Sequence, residues 1–239
     1  MCPFVKIHDK VTVVPITRIT PNFRGPAEDF LVCEEEWSIM ANGEGLAILR
    51  CLPFHLEQLA VGHLFSLGGL RRADEIIKMD IDKEAKKIDV KLNPPNSSVR
   101  PLDEDDISLS ASEIHRLQRE FNERSDLFRK TGAVHGVALA DRDGLLVFIE
   151  DVARHNALDK VIGEMVLREM PASNKALIFS GRLALDMLRK VCATDVKLLI
   201  APGAPTAAAV NLAQEKGITL LGFVREDNIN IYTHDHRVC

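Results

Sequence analysis

Arg154-His155-Asn156 is followed one helical turn later by Asp159-Lys160. This spacing could support acid–base chemistry, with an imidazole to move the proton and a carboxylate at i, i+4 to orient it. The same residues also read as Asn156 capping a helix while His155 donates a hydrogen bond to a neighbouring strand and still contacts a ligand. Three further segments have the composition of anion sites: Ser180-Gly181-Arg182, Ala201-Pro202-Gly203-Ala204-Pro205-Thr206 and Arg225-Glu226-Asp227-Asn228. Each carries a glycine that lets backbone approach a ligand, an arginine, or a hydroxyl beside a helix start. Free N–H groups at helix starts favour anions, phosphate above all, and arginines add charge-assisted, partly bidentate contacts. Together the segments imply a phosphate-bearing ligand. Neither Gly-x-x-x-x-Gly-Lys-Ser/Thr nor Gly-x-Gly-x-x-Gly occurs in the chain, so a P-loop enzyme and a Rossmann dehydrogenase are not expected.

These segments fall between alternating strands and helices. Strands are expected at 133–140, 145–149, 175–179, 196–200, 218–224 and 230–233, with helices from about Ala157, at 183–192 and at 206–216. Strands separated by helices of this length require crossover connections and a largely parallel sheet, and the hairpin through Asp141-Arg142-Asp143-Gly144 makes that sheet mixed. In such a sheet the carboxyl ends of the strands line one edge, where ligands bind. The first part of the chain reads differently. Strands are expected at 11–19, 30–40 and 45–52, the last two joined by an Asn42-Gly43 turn. A helix opened by Pro53 follows, with Leu56, Leu59, Ala60, Leu64 and Leu67 on one face and His63 beside them. Two strands near 76–81 and 88–92 complete a small α+β unit. Asn93-Pro94-Pro95, Pro101 and the acids 103–106 mark a linker or exposed loop, and Ser110 with Glu113 forms a capping box for the next helix. The fold expected is therefore α/β (α+β overall), with a small N-terminal α+β domain at 1–110 and an α/β domain at 111–239.

Composition sets the remaining bounds. The chain has 239 residues, 46% hydrophobic and 27% charged, which suits a packed globular protein and argues against disorder. Its net charge is −5, and neither half is basic: residues 131–239 hold 12 Lys+Arg against 13 Asp+Glu. No nucleic-acid or membrane partner is expected, and a polyanion would need a local site. No apolar run approaches the roughly 20 residues of a membrane span, and MCPFVKIHDK does not read as a secretory signal, so the location expected is cytoplasmic. The five cysteines, Cys2, Cys33, Cys51, Cys192 and Cys239, form no Cys-x-x-Cys pair. Cys33, Cys51 and Cys192 lie in apolar segments and read as small buried hydrophobes, whereas the terminal Cys2 and Cys239 read as frayed.

Several segments carry a resemblance: Thr131-Gly132-Ala133-Val134-His135, Glu150-Asp151-Val152-Ala153-Arg154-His155-Asn156, Phe179-Ser180-Gly181-Arg182, Ala204-Pro205-Thr206, and Leu221-Gly222-Phe223 through Tyr232-Thr233. Their order is that of the FdhD family, the formate dehydrogenase accessory proteins, with looser agreement through Asn42-Gly43-Glu44 and residues 57–65. The resemblance implies a cytidine-deaminase-like mixed sheet with helices on both faces, carried with a small N-terminal domain. It implies a homodimer that moves sulfur from a cysteine desulfurase to the molybdenum cofactor, in its bis-molybdopterin guanine dinucleotide form, before that cofactor enters formate dehydrogenase. The deaminase likeness extends to the fold alone. His135 is followed by Gly136-Val137 rather than by x-Glu, and Pro-Cys-x-x-Cys is absent, so zinc is not expected.

The chain departs from the family at the sulfur-carrying Cys-Gly-x-Cys-Gly loop, because residues 93–110 contain no cysteine. Ala153 also stands where the family has glycine. No catalytic residue is therefore assigned, and the alternative function is a cofactor-binding chaperone that does not transfer sulfur. The cofactor is expected against Phe223, Val224, Arg225, Glu226, Asp227 and Asn228, with Arg154, His155, Asn156, Ser180, Gly181 and Arg182 nearby. Phe223 would offer an apolar or stacking surface, and Arg182 and Arg225 the phosphate contacts. Cys239, in His234-Asp235-His236-Arg237-Val238-Cys239, is expected to be the most reactive thiol, on a terminus free to swing toward a donor.

Overall fold

The computed structural model describes residues 5–8, 11–93, 107–225 and 228–239, the first four of these as backbone alone. Cys2, Glu226, Asp227 and residues 94–106 of the proline-rich and acidic segment lie outside the described residues.

Chain order begins with β1 (Val5–His8), β2 (Val11–Thr20) and β3 (Phe23–Val32), which form a three-stranded antiparallel sheet. The expected strand at 30–40 is in fact two. Cys33 and Glu34 interrupt it, and β4 (Glu35–Ala41) belongs to a different sheet. β4 pairs with β5 (Glu44–Cys51) through the Asn42-Gly43 turn, where both residues take positive φ, 52° and 83°, as a tight two-residue hairpin requires. α1 (Leu56–Ser66) starts three residues after Pro53, and Leu67 is an exposed cap rather than part of the buried face. β6 (Ile76–Asp82) and β7 (Lys87–Leu92) complete a four-stranded sheet of order β5-β4-β7-β6.

The second half opens with α2 (Ala111–Arg124), capped reciprocally by Ser110 and Glu113 as expected, and the short α3 (Asp126–Thr131). β8 (His135–Ala140), β9 (Leu145–Asp151), α4 (Arg154–Leu167), β10 (Ala176–Phe179), α5 (Leu185–Cys192), β11 (Leu198–Ile200), α6 (Ala207–Lys216), β12 (Thr219–Arg225) and β13 (Asn228–Thr233) follow. The six strands run β13-β12-β11-β10-β8-β9, parallel across β10-β11-β12 and antiparallel at both flanks. This is the expected mixed sheet. Alternation along its strands sends Leu139, Leu177, Leu199 and Leu220 to a face covered by α4, α5 and α6, and Ala138, Ile178, Ile200 and Leu221 to a face covered by α2.

Five layers result, with α1 between the four-stranded sheet and α4. One side of α1 packs on Trp37, Ile39, Ile88 and Val90. The other side lies so close to α4 that a Cβ on Gly62 would fall 1.7 Å from the Asp159 carbonyl, and one on Gly163 would fall 1.9 Å from that of Gln58. Only a glycine on each helix permits this backbone-to-backbone crossing. Among the described residues no helix is long and apolar enough to cross a membrane.

Candidate functional site

The carboxyl ends of β9, β10, β11 and β12 lie on one edge of the six-stranded sheet, together with the amino ends of β8 and β13. His135 pairs with Asp151, and Arg225 pairs with Asn228. α4, α5 and α6 all begin on this edge, so three helix N-termini and their positive dipole ends converge there. Arg154, His155, Ser180, Gly181, Arg182, Phe223, Val224, Arg225 and Asn228 are thus gathered along one edge. Asn156 is not free to join them. It is buried, and its amide donates to the Arg50 carbonyl at 2.7 Å and to Asp151 at 3.2 Å.

Backbone crossings hold the loops together. Ser180 N–H donates to the Gly136 carbonyl, and Gly136 N–H donates back to the Ser180 hydroxyl at 3.1 Å. A Cβ on Gly203 would sit 2.9 Å from both Arg182 N and Gly181 C, so glycine is what lets the β11 loop pass over the β10 loop. Gly181 has open space instead, with His135 Nδ1 its nearest neighbour at 3.9 Å from where a Cβ would stand. The register of β12 and β13 slips between Gly222 and Arg225. Phe223 there takes φ of 51°, a left-handed conformation rare for an aromatic residue, and its ring is partly exposed. Strain of this kind persists where surrounding contacts hold it, and it concentrates at ligand sites. Here the Phe223 carbonyl accepts from Asn228 Nδ2 at 3.2 Å, and its N–H donates to the Gly203 carbonyl.

The positive groups differ in their freedom. Arg182 is exposed. Arg225 Nε donates to the Pro202 carbonyl at 3.0 Å, which aims the rest of its guanidinium along the edge. Arg154 stands 3.7 Å from Asp186, while its buried Nε has no partner among the described residues, an orphan donor of the kind an anion would satisfy.

His155 corrects the sequence expectation. Asp159 does not orient it; Asp186, from the first turn of α5, does, with Oδ2 at 2.9 Å from Nε2. Asp159 is turned into the seam between α1, α4 and α5, where it meets Lys190 at 2.6 Å, His63 at 3.0 Å and Ser66 at 3.1 Å. Nor does Asn156 cap the helix. α4 begins at Arg154 behind Ala153, whose N–H is taken by Asp151 Oδ1 at 3.1 Å. Burial lowers the His155 basicity, aided by Lys190 and Arg154 and opposed by Asp186 and Asp159. Burial and then Arg154 do the same to His135. For Asp186, burial pushes upward, but the Met187 amide, His155 and Arg154 outweigh it and hold the carboxyl below its ordinary range.

Sequence reasoning left three participants out of the site: His135, Asp186 and Lys190. His135 stood in a quoted segment, and its place at the start of a strand flanked by edge loops was the available signal. Asp186 and Lys190 carry no local signal, because crossover packing alone brings α5 against α4.

Behind the edge, Asp151 and Lys160 form a fully buried ion pair at 2.6 Å. Lys160 also donates to the Leu52 carbonyl, and Leu52 N–H donates to Asp151. A cavity of about 600 Å³ adjoins Glu150, lined on its apolar side by Val11, Leu52, Phe54 and Phe148. Among the described residues no cluster of three His, Cys, Asp or Glu could hold a metal ion.

The thiols lie elsewhere. Cys51 is buried, and burial pushes its thiol up to about 12. Cys33 and Cys192 are half-buried rather than buried as expected, with Cys192 also raised by burial. Cys239 is exposed, but it is not on a free terminus. Its N–H donates to the Leu109 carbonyl at 3.1 Å, and β13 has by then carried the chain to the opposite edge of the sheet.

Fold and site together define a mixed α/β protein with an arginine-lined sheet edge buttressed by an N-terminal helix. The chain belongs to the FdhD/NarQ family, whose model matches residues 32–101 and 93–239. It is similar to the sulfur carrier protein FdhD of Bacillus pumilus, 34% identical over 237 residues that cover 88% of this chain and 90% of that one. It is also similar to the sulfur carrier protein FdhD of Bacillus subtilis, 32% identical and covering 97% and 99%. A crystal structure of a chain assigned as a formate dehydrogenase accessory protein from Desulfotalea psychrophila superposes with a TM-score of 0.85 at 28% identity, covering 96% of this chain and all of that one.

Proposed function

We propose that this protein is a formate dehydrogenase accessory protein that holds the guanine dinucleotide form of the molybdenum cofactor, as cargo, by its phosphates at the sheet edge. The observation that carries this reading is the placement of Arg154, Arg182 and Arg225, at the start of α4, after β10 and at the end of β12, along one sheet edge beside three helix N-termini. One guanidinium there has a buried nitrogen without a partner among the described residues. Gly181 and Gly203 keep the loops low enough for a large ligand to lie against backbone, and Phe223 offers an apolar surface at one end. Formate dehydrogenase would receive the cargo, with the protein acting as a homodimer.

Sulfur carriage, the role that names the relatives, would require a thiol within reach of the cargo and a cysteine desulfurase to load it. No cysteine occurs between Cys51 and Cys192 in the sequence, and among the described residues Cys51 is buried, Cys33 and Cys192 are half-buried, and the exposed Cys239 is on the far edge. These positions favour the second reading, in which the protein escorts the cofactor without transferring sulfur. Two experiments divide the readings. Restoration of formate dehydrogenase activity in a strain lacking its own accessory protein tests the role, and failure to restore it counts against both. Incubation with a cysteine desulfurase, cysteine and a persulfide-specific tag tests carriage. Stable labelling supports it, and absence of label leaves the escort.

A further inference from the structure

We propose that anion binding at this edge is coupled to proton uptake by His135 and His155, the imidazoles at the starts of β8 and α4, so that the site favours phosphate groups that together carry about two negative charges. This rests on reading the edge as a nucleotide-phosphate site. It adds what that reading lacks, a pH dependence.

The geometry sets the basic nitrogen of His155. A carboxylate only accepts, so the Asp186 contact at 2.9 Å places the hydrogen of neutral His155 on Nε2 and leaves Nδ1 as the basic atom. His135 Nδ1 faces the space left by the missing side chain of Gly181. The charged groups around His155 are Asp186 and Lys190 from α5 and Arg154 and Asp159 from α4, with His63 of α1 and Lys190 already taken up by Asp159. Arg154 is the charged group facing His135. Burial and the neighbouring guanidinium disfavour the protonated form of both rings, against the pull of Asp186 on His155. A diphosphate settling against Arg154 brings about two negative charges to the edge, enough to raise a partly exposed imidazole by about one pH unit or more. Each ring that gains its proton then donates a hydrogen bond to the anion.

The test is titration calorimetry of GDP against the whole protein near pH 7.5, where the terminal phosphate, with a second pKa of about 6, has lost its proton. The same titration is run in buffers of low and high ionisation enthalpy. The expected result is a heat that depends on the buffer in the direction of proton uptake, and an affinity that falls with rising pH by up to about tenfold per unit for each linked proton. H135Q and H155Q should each remove part of the uptake. D186N removes a charge that favours protonated His155, so it should move that part of the uptake to lower pH, an effect a merely structural Asp186 would not produce. GDP binding with buffer-independent heat in the unaltered protein overturns the proposal, as does full uptake retained by both His→Gln variants. Absence of GDP binding in every buffer overturns the nucleotide-site reading itself, and the proton linkage falls with it.

Discussion

Arg182 and Arg225 show how much of a site can be read residue by residue. Their place on one sheet edge was legible in the sequence, because segments that follow strand-like runs fall at the carboxyl ends of a parallel sheet. Their expected effect follows from the strength of a charge-assisted hydrogen bond, about 1.5–3 kcal/mol. Arg182→Ala or Arg225→Ala should weaken GDP binding about tenfold or more in calorimetry, and unchanged affinity in both would place the phosphates elsewhere. Asp186 was not legible. It is far from His155 in the sequence, and nothing in Leu183-Ala184-Leu185-Asp186 separates it from any helix-opening acid. Lys160 was read only as a companion of Asp159, whereas it forms a fully buried pair with Asp151 and reaches the Leu52 carbonyl. Removing one member of such a pair strands the other charge in the interior, at a cost of about 3–5 kcal/mol. Lys160→Met should lower stability by that amount in urea denaturation. A loss below about 1 kcal/mol would mean that water reaches Asp151.

At the level of elements, the order of strands and helices in the second half was legible because each carries its own apolar period. The capping box at Ser110 and the Asn42-Gly43 turn held because they are local chemistry. What failed was non-local. α4 lacks a capping side chain at Ala153 and borrows Asp151 from the preceding strand, so the sequence seemed to start the helix at Ala157. The break at Cys33 and Glu34 was hidden by continuous strand-forming residues on both sides. α1 carried apolar residues around most of its circumference for a reason visible only in three dimensions: it is covered by a sheet on one side and by α4 on the other. The crossing at Gly62 and Gly163 makes the sharpest prediction at this scale. Gly163→Ala must push the helices apart against the Gln58 carbonyl, and overpacking of this kind costs about 1–3 kcal/mol. Since α4 carries Arg154 and His155 on its first turn, the same change should also weaken GDP binding. Gly69→Ala is the control, because its Cβ would make only ordinary contacts, 3.6 Å from Leu64. Equal stability of the two variants would show that α4 shifts without penalty.

The whole molecule places its chemistry asymmetrically, and Cys239 is where this matters. Thr131 to Arg225 supplies every arginine loop of the ligand edge, whereas the described exposed thiol belongs to the far edge. Five steps along β13 at about 3.3 Å each put roughly 17 Å between Asn228 and the end of the strand. The terminus then turns back onto α2, with Leu109 N–H bonded to the Arg237 carbonyl and Cys239 N–H to that of Leu109. A persulfide on Cys239 would therefore stand on the wrong side of the sheet from cargo held at Arg182 and Arg225 in the same chain. Reactivity and function are separable for this residue. Thiolate chemistry needs access, and of the four cysteines whose surroundings are described only Cys239 is exposed, Cys51 being both buried and raised to about 12. Alkylation of the native protein followed by mass mapping should label Cys239 ahead of Cys33, Cys51 and Cys192. Saturating GDP should leave its rate unchanged, because β13 separates it from the edge. Preferential labelling of Cys51 or Cys192 would mean that the core opens more readily than its packing implies. Protection of Cys239 by GDP would instead bring the terminus to the ligand edge and restore it as a candidate sulfur carrier.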